Sequence, residues 1–208
     1  MQTATNQTIE QLRHTLLTKW PEATPHTPIY TKPAIGASVQ NPLQIGLGEI
    51  AELIGAESSG KTSLATRMLT AQSKETAYWI SLSGKAYFLP TTHNIHLEVE
   101  SLKEAITLCQ TIIGAAAMRR IVLDFSNLQS IKISKDSLTA IWYNLRRIVV
   151  RQYAHLIILT PENATLLPDS IVTKKIHVSR NTQGAIQAHI LRSRTGGEGM
   201  HYDVADTA

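Results

Sequence analysis

The length and composition of the chain indicate one main globular domain. Of its 208 residues, 43% are hydrophobic and 17% are charged, which is ordinary for a protein with a single buried core. The single cysteine, Cys109, excludes an internal disulfide and is expected to be a buried structural thiol. No apolar run reaches the ~20 residues of a membrane-spanning helix, and the polar N-terminus lacks the apolar core of a signal peptide. We therefore expect a cytoplasmic protein.

The formal net charge of +4 is unevenly distributed along the sequence. Residues 1–118 carry eight Lys and Arg against nine Asp and Glu, whereas residues 119–208 carry twelve against seven. A surface that binds a polyanion such as single-stranded DNA is therefore expected in the second half of the chain. The alternative is an ordinary solvated surface.

The first 41 residues are predicted to form a helix and a proline-rich arm outside the main domain. Apolar residues at helical spacing predict a short amphipathic helix over residues 7–19. The prolines that follow, Pro21, Pro25, Pro28 and Pro33, are incompatible with a continuous helix. Such a helix either docks onto a partner protein or packs back onto its own domain.

From residue 42 onward, apolar strands alternate with helices. In chain order we predict a strand at 49–54, a helix at 61–71, a strand at 76–82, a helix at 101–118, a strand at 120–125, a helix at 136–151, and strands at 155–160, 175–180 and 185–193. The last two flank a turn at 181–184. The histidine pair in residues 93–96 has a possible metal spacing but no partners, so we interpret it as a surface loop. The pattern predicts an α/β domain over residues 42–208, with a mostly parallel sheet flanked by helices and a C-terminal β-hairpin.

A glycine-rich loop follows the first predicted strand. Residues 55–62, GAESSGKT, match the phosphate-loop pattern G-x-x-x-x-G-K-[ST]. In such a loop, backbone N–H groups point at phosphate oxygens, Lys61 contacts the β- and γ-phosphates, and the Thr62 hydroxyl binds Mg²⁺. We predict that the chain binds a nucleoside triphosphate, ATP, through Gly55, Glu57, Ser58, Ser59, Gly60, Lys61, Thr62 and Ser63.

A carboxylate ends the strand predicted at 120–125. Asp124 follows an apolar run, and ligands of α/β sheets bind at the carboxyl ends of the strands. Asp124 is therefore predicted to bind the Mg²⁺ ion together with Thr62. The alternative role for Asp124 is capping of a helix.

Residues 48–64, GEIAELIGAESSGKTSL, resemble the nucleotide-binding segment of bacterial RecA recombinases. The order of elements is similar over about residues 42–205, although the resemblance is sharp only at 48–64. It implies a RecA-like phosphate-loop core closed by a β-hairpin.

The sequence departs from the RecA pattern in ways that affect activity. Ser83 stands where RecA-like ATPases carry the glutamate that activates water, so hydrolysis should be slow or absent. Thr91 and Thr92 stand where an aromatic residue would stack on adenine. The two DNA-binding loops of RecA are shortened, after Asp124 and after Thr160, and the separate C-terminal domain of RecA is missing.

One interface feature of RecA has a counterpart. RecA presents two basic residues, one residue apart, to the ATP of the neighbouring subunit, and Arg192 and Arg194 fit this position before the flexible Thr195-Gly196-Gly197. The resemblance thus implies self-association with Arg192 and Arg194 as nucleotide contacts. The alternative is two solvated arginines at an exposed strand end.

A short RecA-like core behind an N-terminal helix also resembles ImuA proteins, RecA-related accessory factors of bacterial translesion synthesis. This implies an ATP-binding accessory protein of DNA repair and SOS-type mutagenesis, working with a RecA-like recombinase or an error-prone polymerase complex. The first alternative is an active DNA-dependent ATPase that acts as a recombinase paralogue. The second is a non-enzymatic interaction module with a vestigial phosphate loop.

Overall fold

The computed structural model describes residues 43–70, 77–82, 94–115, 119–128 and 135–204. The predicted helix at 7–19, the proline-rich arm, Ser83 and the Thr91-Thr92 pair lie outside these residues. Of the predicted loop at 93–96, residue 93 also lies outside them.

The described residues form eleven elements around one sheet. In chain order they are β1 (Ile50–Gly55), α1 (Lys61–Thr70), β2 (Ala77–Leu82), β3 (Asn94–Val99), α2 (Leu102–Gly114), β4 (Arg120–Asp124), α3 (Lys135–Arg151), β5 (His155–Pro161), β6 (Lys174–Arg180), β7 (Ile186–Ser193) and β8 (His201–Val204). The strand order is β3-β2-β4-β5-β1-β6-β7-β8. The first six strands in that order are parallel, and β7 and β8 are antiparallel additions. The predicted α/β architecture is confirmed.

The central strands are mostly apolar because both faces of the sheet are covered. Every residue of β1 is buried. On one face, Leu53 and Ile157 share a core cluster with Leu64 and Met68 of α1. Strand residues of the opposite face, such as Leu123, are equally buried, and α2 and α3, which pack against each other, supply the second layer.

Helix α2 shows how the sequence determines a helix start. The Ser101 hydroxyl accepts a hydrogen bond from the Glu104 N–H (3.2 Å), and the Glu104 carboxylate accepts one from the Glu100 N–H (3.0 Å). This reciprocal arrangement resembles a capping box and satisfies two N–H groups near the first turn. The helix ends at Gly114, four residues earlier than predicted, whereas the other predicted boundaries agree within one residue.

Two strands were not predicted. Residues 94–96, interpreted from sequence as part of a surface loop, belong to the edge strand β3, so that interpretation is wrong. The sequence does not indicate this strand because the strand pairs only with β2, among the described residues, and carries polar side chains. One of them is His96, whose Nε2 lies 2.7 Å from the Ser81 hydroxyl. At the other end of the sheet, β8 pairs with β7 and extends the predicted hairpin to three strands.

No helix among the described residues is long and apolar enough to cross a membrane.

Cys109 is predicted to be chemically inert in the folded protein. The thiol lies on α2 with no exposed surface, and burial raises its pKa well above the ordinary value. Thiolate is the reactive species, so an aromatic disulfide reagent should not modify the native protein at neutral pH but should modify it fully in denaturant. The absorbance of the released thiolate measures both reactions. Rapid modification of the native protein would contradict the placement of Cys109 in the core.

Candidate functional site

The parallel register brings the ends of four neighbouring strands to one edge of the sheet. Gly55 of β1 lies opposite Pro161 of β5, and Leu159 of β5 lies opposite Asp124 of β4. On the other side of β1, Ile54 lies opposite His177 of β6. The glycine-rich loop, Asp124 and the residues after β5 therefore meet at this edge, where α/β sheets bind their ligands.

The loop between β1 and α1 is shaped by close packing and by positive φ angles. A side chain at Gly55 would overlap the Val178 carbonyl oxygen, and one at Gly60 (φ +98°) would lie 2.7 Å from the Ile186 side chain. Ser58 also has a positive φ of 63°. Successive turns of this kind aim backbone N–H groups into a concave anion site.

The loop also presents hydrogen-bonding groups that the protein leaves for a ligand. Helix α1 begins at Lys61, and the first N–H groups of an α-helix have no acceptor within the helix. The Ser59 hydroxyl is buried and has no hydrogen-bond partner in the part of the chain that the structure describes. These groups and the positive end of the helix dipole fit the phosphates of a nucleotide.

Lys61 is buried at the centre of the loop. Its ammonium group donates hydrogen bonds to the carbonyl oxygens of Gly55 (2.6 Å) and Ala56 (2.8 Å). Burial lowers its pKa, and the carboxylates of Asp124, Glu162 and Glu57 oppose that shift. The loop thus holds the Lys61 ammonium group in place by two hydrogen bonds, and the charges of three carboxylates act on it.

Asp124 ends β4 at the same edge of the sheet, and the charge of its carboxylate acts on Lys61. Its two carboxylate oxygens accept hydrogen bonds from the Trp79 indole N–H (3.3 Å) and from the Ser126 backbone N–H (3.0 Å). Both bonds fix the orientation of the carboxylate. The Thr62 side chain is half-buried in the first turn of α1.

The hydroxyl of Thr62 and the carboxylate of Asp124 are the kind of oxygen ligand that Mg²⁺ prefers. Among the described residues no group of three or more His, Cys, Asp or Glu side chains forms a metal cluster. Mg²⁺ commonly takes one or two protein oxygens and completes its shell with phosphate and water. Thr62 and Asp124 are the oxygens that would supply the protein ligands, and the bound ion would neutralise phosphate charge.

Three residues at this edge were missed by the sequence reasoning. Glu162 follows β5 directly, and its Oε1 lies 3.2 Å from Nε2 of His177 on β6. Arg180, at the end of β6, donates a hydrogen bond from Nε to the Ser58 carbonyl oxygen (2.9 Å). Glu162 could have been predicted as a site residue because it is a charged residue directly after an apolar strand. Asp124 was predicted from the same kind of position.

Arg192 and Arg194 lie elsewhere. Arg192 is opposite Lys175, near the start of β6, so about five residues of strand (~16 Å) separate it from Arg180 and the phosphate loop. It donates a hydrogen bond to the Asp169 carbonyl oxygen (3.2 Å), and Arg194 donates one to the Ser170 carbonyl oxygen (2.5 Å). The structure therefore does not bring these two arginines to the phosphate loop of their own chain.

A cavity of about 1320 Å³ opens beside the loop. Its walls come from the start of the phosphate loop, from α3, including Trp142, from the segment between β5 and β6, including Glu162, and from Lys175 of β6. Lys175 forms ion pairs with the buried Glu52 of β1 (3.5 Å) and with the exposed Asp169 (3.2 Å). These two ion pairs connect β1 to the segment between β5 and β6, in which the carbonyl oxygens of Asp169 and Ser170 accept the hydrogen bonds of Arg192 and Arg194.

The fold is similar to that of a solved recombinase. A crystal structure of the RadB recombinase matches with a TM-score of 0.59 and 14% sequence identity, over 77% of this chain and 89% of that one. The chain has a RecA-like fold. No protein-family model and no curated protein matches the sequence. At this sequence identity the similarity shows the fold alone and says nothing about the activity of this chain.

The buried Glu52 leads to a prediction of how the stability of the fold depends on pH. Burial raises the pKa of its carboxyl group, while Lys175 and the hydroxyl of Thr160, which donates a hydrogen bond at 3.2 Å, oppose the shift. Above the unfolded-state pKa of about 4.3, the unfolded chain releases this proton more readily than the folded one. This contribution to stability is therefore full below that pKa and is lost as the pH rises through the folded value.

The variant Glu52→Gln keeps the size and removes this titration. Its free energy of unfolding relative to the wild type should therefore increase as the pH rises above the unfolded-state pKa of about 4.3, as measured by urea denaturation. Glu198→Gln, an exposed glutamate in the segment between β7 and β8, is the matched control and should differ from the wild type by a constant amount. A constant difference between Glu52→Gln and the wild type at all pH values would contradict the assignment.

Proposed function

We propose that this chain is a RecA-like ATP-binding accessory protein of bacterial DNA repair, in which bound Mg-ATP acts mainly as a switching ligand. The observation that carries the proposal is Lys61, buried in a phosphate loop and beside the carboxylate of Asp124. Burying a lysine costs free energy unless its charge is used or compensated. A triphosphate with Mg²⁺ is the ligand that uses both charges.

Two features favour a switch over a motor that exchanges DNA strands. Ser83, which stands where RecA-like ATPases carry their glutamate, cannot act as a general base. The segment between β5 and β6, residues 162–173, contains turns but no helix, and it is held by ion pairs of Asp169 with Lys175 and Arg192. Slow turnover and a fixed segment suit a protein whose ATP-bound form is recognised by others.

We base the proposed partners on two arginines. Because Arg192 and Arg194 are remote from their own phosphate loop, they would contact a nucleotide that is bound by a neighbouring RecA-like subunit. This supports association with a second copy or with a RecA-like recombinase. A role with an error-prone polymerase, in the style of ImuA, and contact with single-stranded DNA are part of the same proposal.

The nucleotide site can be tested by thermal unfolding. A ligand that binds only the folded state stabilises it by about 2.7 kcal/mol at one hundred times its dissociation constant. For a chain of this size that corresponds to roughly 5–10 °C in Tm. Mg-ATP should produce this shift in the wild type and none in Lys61→Ala. Arg151→Ala, at the exposed end of α3, is the matched loss of a positive charge and should keep the shift.

An absent shift in the wild type at saturating Mg-ATP would instead indicate an interaction module with a vestigial phosphate loop. The repair role has its own test, the mutation frequency after DNA damage in cells that carry Lys61→Ala. It should fall relative to wild-type cells. Unchanged mutagenesis, together with no nucleotide binding by the wild type, would refute the proposal.

A further inference from the structure

The start of the phosphate loop is bridged by a carboxylate–imidazole pair. Pro161 lies opposite Gly55 on one side of β1, and His177 lies opposite Ile54 on the other side. Glu162, the residue after Pro161, therefore reaches across the end of β1 to His177, with 3.2 Å between Oε1 and Nε2. The pair thus spans the strand at the point where the phosphate loop begins.

The charge of Glu162 acts on the loop lysine. Asp124, Glu162 and Glu57 are the carboxylates whose fields raise the pKa of Lys61 against the effect of burial. The strand register places Glu162 one residue beyond the Gly55–Pro161 pair, and Glu162 and Glu57 both line the cavity beside the loop, where the terminal phosphate of a nucleotide would lie. Each of them is thus a candidate to accept a proton from an attacking water.

The hydrogen bonds of the three carboxylates distinguish them. Both oxygens of Asp124 accept hydrogen bonds from the protein, and Asp124 is the predicted Mg²⁺ ligand. Glu57 belongs to the loop that wraps the phosphates. In Glu162, His177 engages Oε1, and no side chain among the described residues engages Oε2. The Glu162 side chain is 50% exposed and that of His177 is 32% exposed, so water reaches both.

We propose that Glu162 is the general base for hydrolysis of the nucleotide at this loop, and that His177 is the residue that positions it. This inference rests on the proposed nucleotide site and adds a base that the sequence, with Ser83 in the usual place, lacks. It assigns a slow hydrolytic activity to a site otherwise described as a switch.

In this step, Oε2 of Glu162 accepts a proton from a water molecule as the water oxygen forms a bond to the γ-phosphorus. The bond between the γ-phosphorus and the bridging oxygen breaks, and its electron pair leaves with the nucleoside diphosphate. The second water proton remains on the released phosphate. Glu162 then returns its proton to solvent, so that the carboxylate is regenerated and no other reactant is consumed.

Turnover of γ-labelled ATP with Mg²⁺ tests the assignment, with nucleotide binding measured separately by a fluorescent ATP analogue. Wild-type protein should release labelled phosphate slowly. In Glu162→Gln, which keeps the size and the contact with His177, kcat should fall about 100-fold or more, as is usual for loss of a general base. The KM and the affinity for the analogue should stay unchanged. Glu198→Gln, an exposed glutamate in the segment between β7 and β8, should leave all three values unchanged.

His177 has a test suited to a positioning role. His177→Ala should lower kcat without changing KM, and His177→Gln, which can still donate to Glu162, should recover part of the loss. Equal losses in both variants would refute the positioning role, and turnover that survives in Glu162→Gln would refute the base. If the wild type binds the analogue but releases no phosphate, this inference fails and the nucleotide site stands. If it binds no nucleotide, both fail.

Discussion

The parallel pairing of β1 with β5 on one side and β6 on the other determines the rest of the site. It places Gly55 opposite Pro161 and Ile54 opposite His177, so the residues after three strands are held at one edge of the sheet. Since side chains alternate between the faces, a slip of one residue would exchange the buried Leu53 and Glu52 between the two covering layers. The buried face of each strand therefore fixes the register, and the register fixes which polar groups meet.

The edge that results carries more negative than positive side chains around its central lysine. The charges of Asp124, Glu162 and Glu57 act on Lys61, and these carboxylates would repel a triphosphate on their own. The loop N–H groups and the dipole of α1 attract phosphate. A divalent cation bound by Asp124 would offset the remaining repulsion between the carboxylates and the phosphates. The same carboxylates that would make Mg²⁺ necessary include Glu162, the proposed base that acts on water. The proposed nucleotide binding and the proposed slow hydrolysis would therefore have one electrostatic origin.

The sequence predicts those parts of the site that are local in the chain. The phosphate loop is a contiguous segment, and Asp124 ends an apolar strand, so both were identified from spacing and hydrophobicity. The Glu162–His177 pair was not identified, because two residues fifteen positions apart meet only through their separate pairing with β1. The strand β3 was missed for a related reason, since its polar residues are tolerated at the sheet edge beside β2. Arg192 and Arg194 were identified by analogy, and the strand register shows that they are remote from their own loop.

Calorimetric titration of the full chain with ATP, with and without Mg²⁺, and with AMP in parallel, tests the central claim most directly. If the loop holds the β- and γ-phosphates through Lys61 and the carboxylates require a cation, ATP should bind with Mg²⁺ and far more weakly without it. AMP, which lacks both phosphates, should not bind measurably. Equal affinities for AMP and ATP, or ATP binding that does not depend on Mg²⁺, would contradict the account.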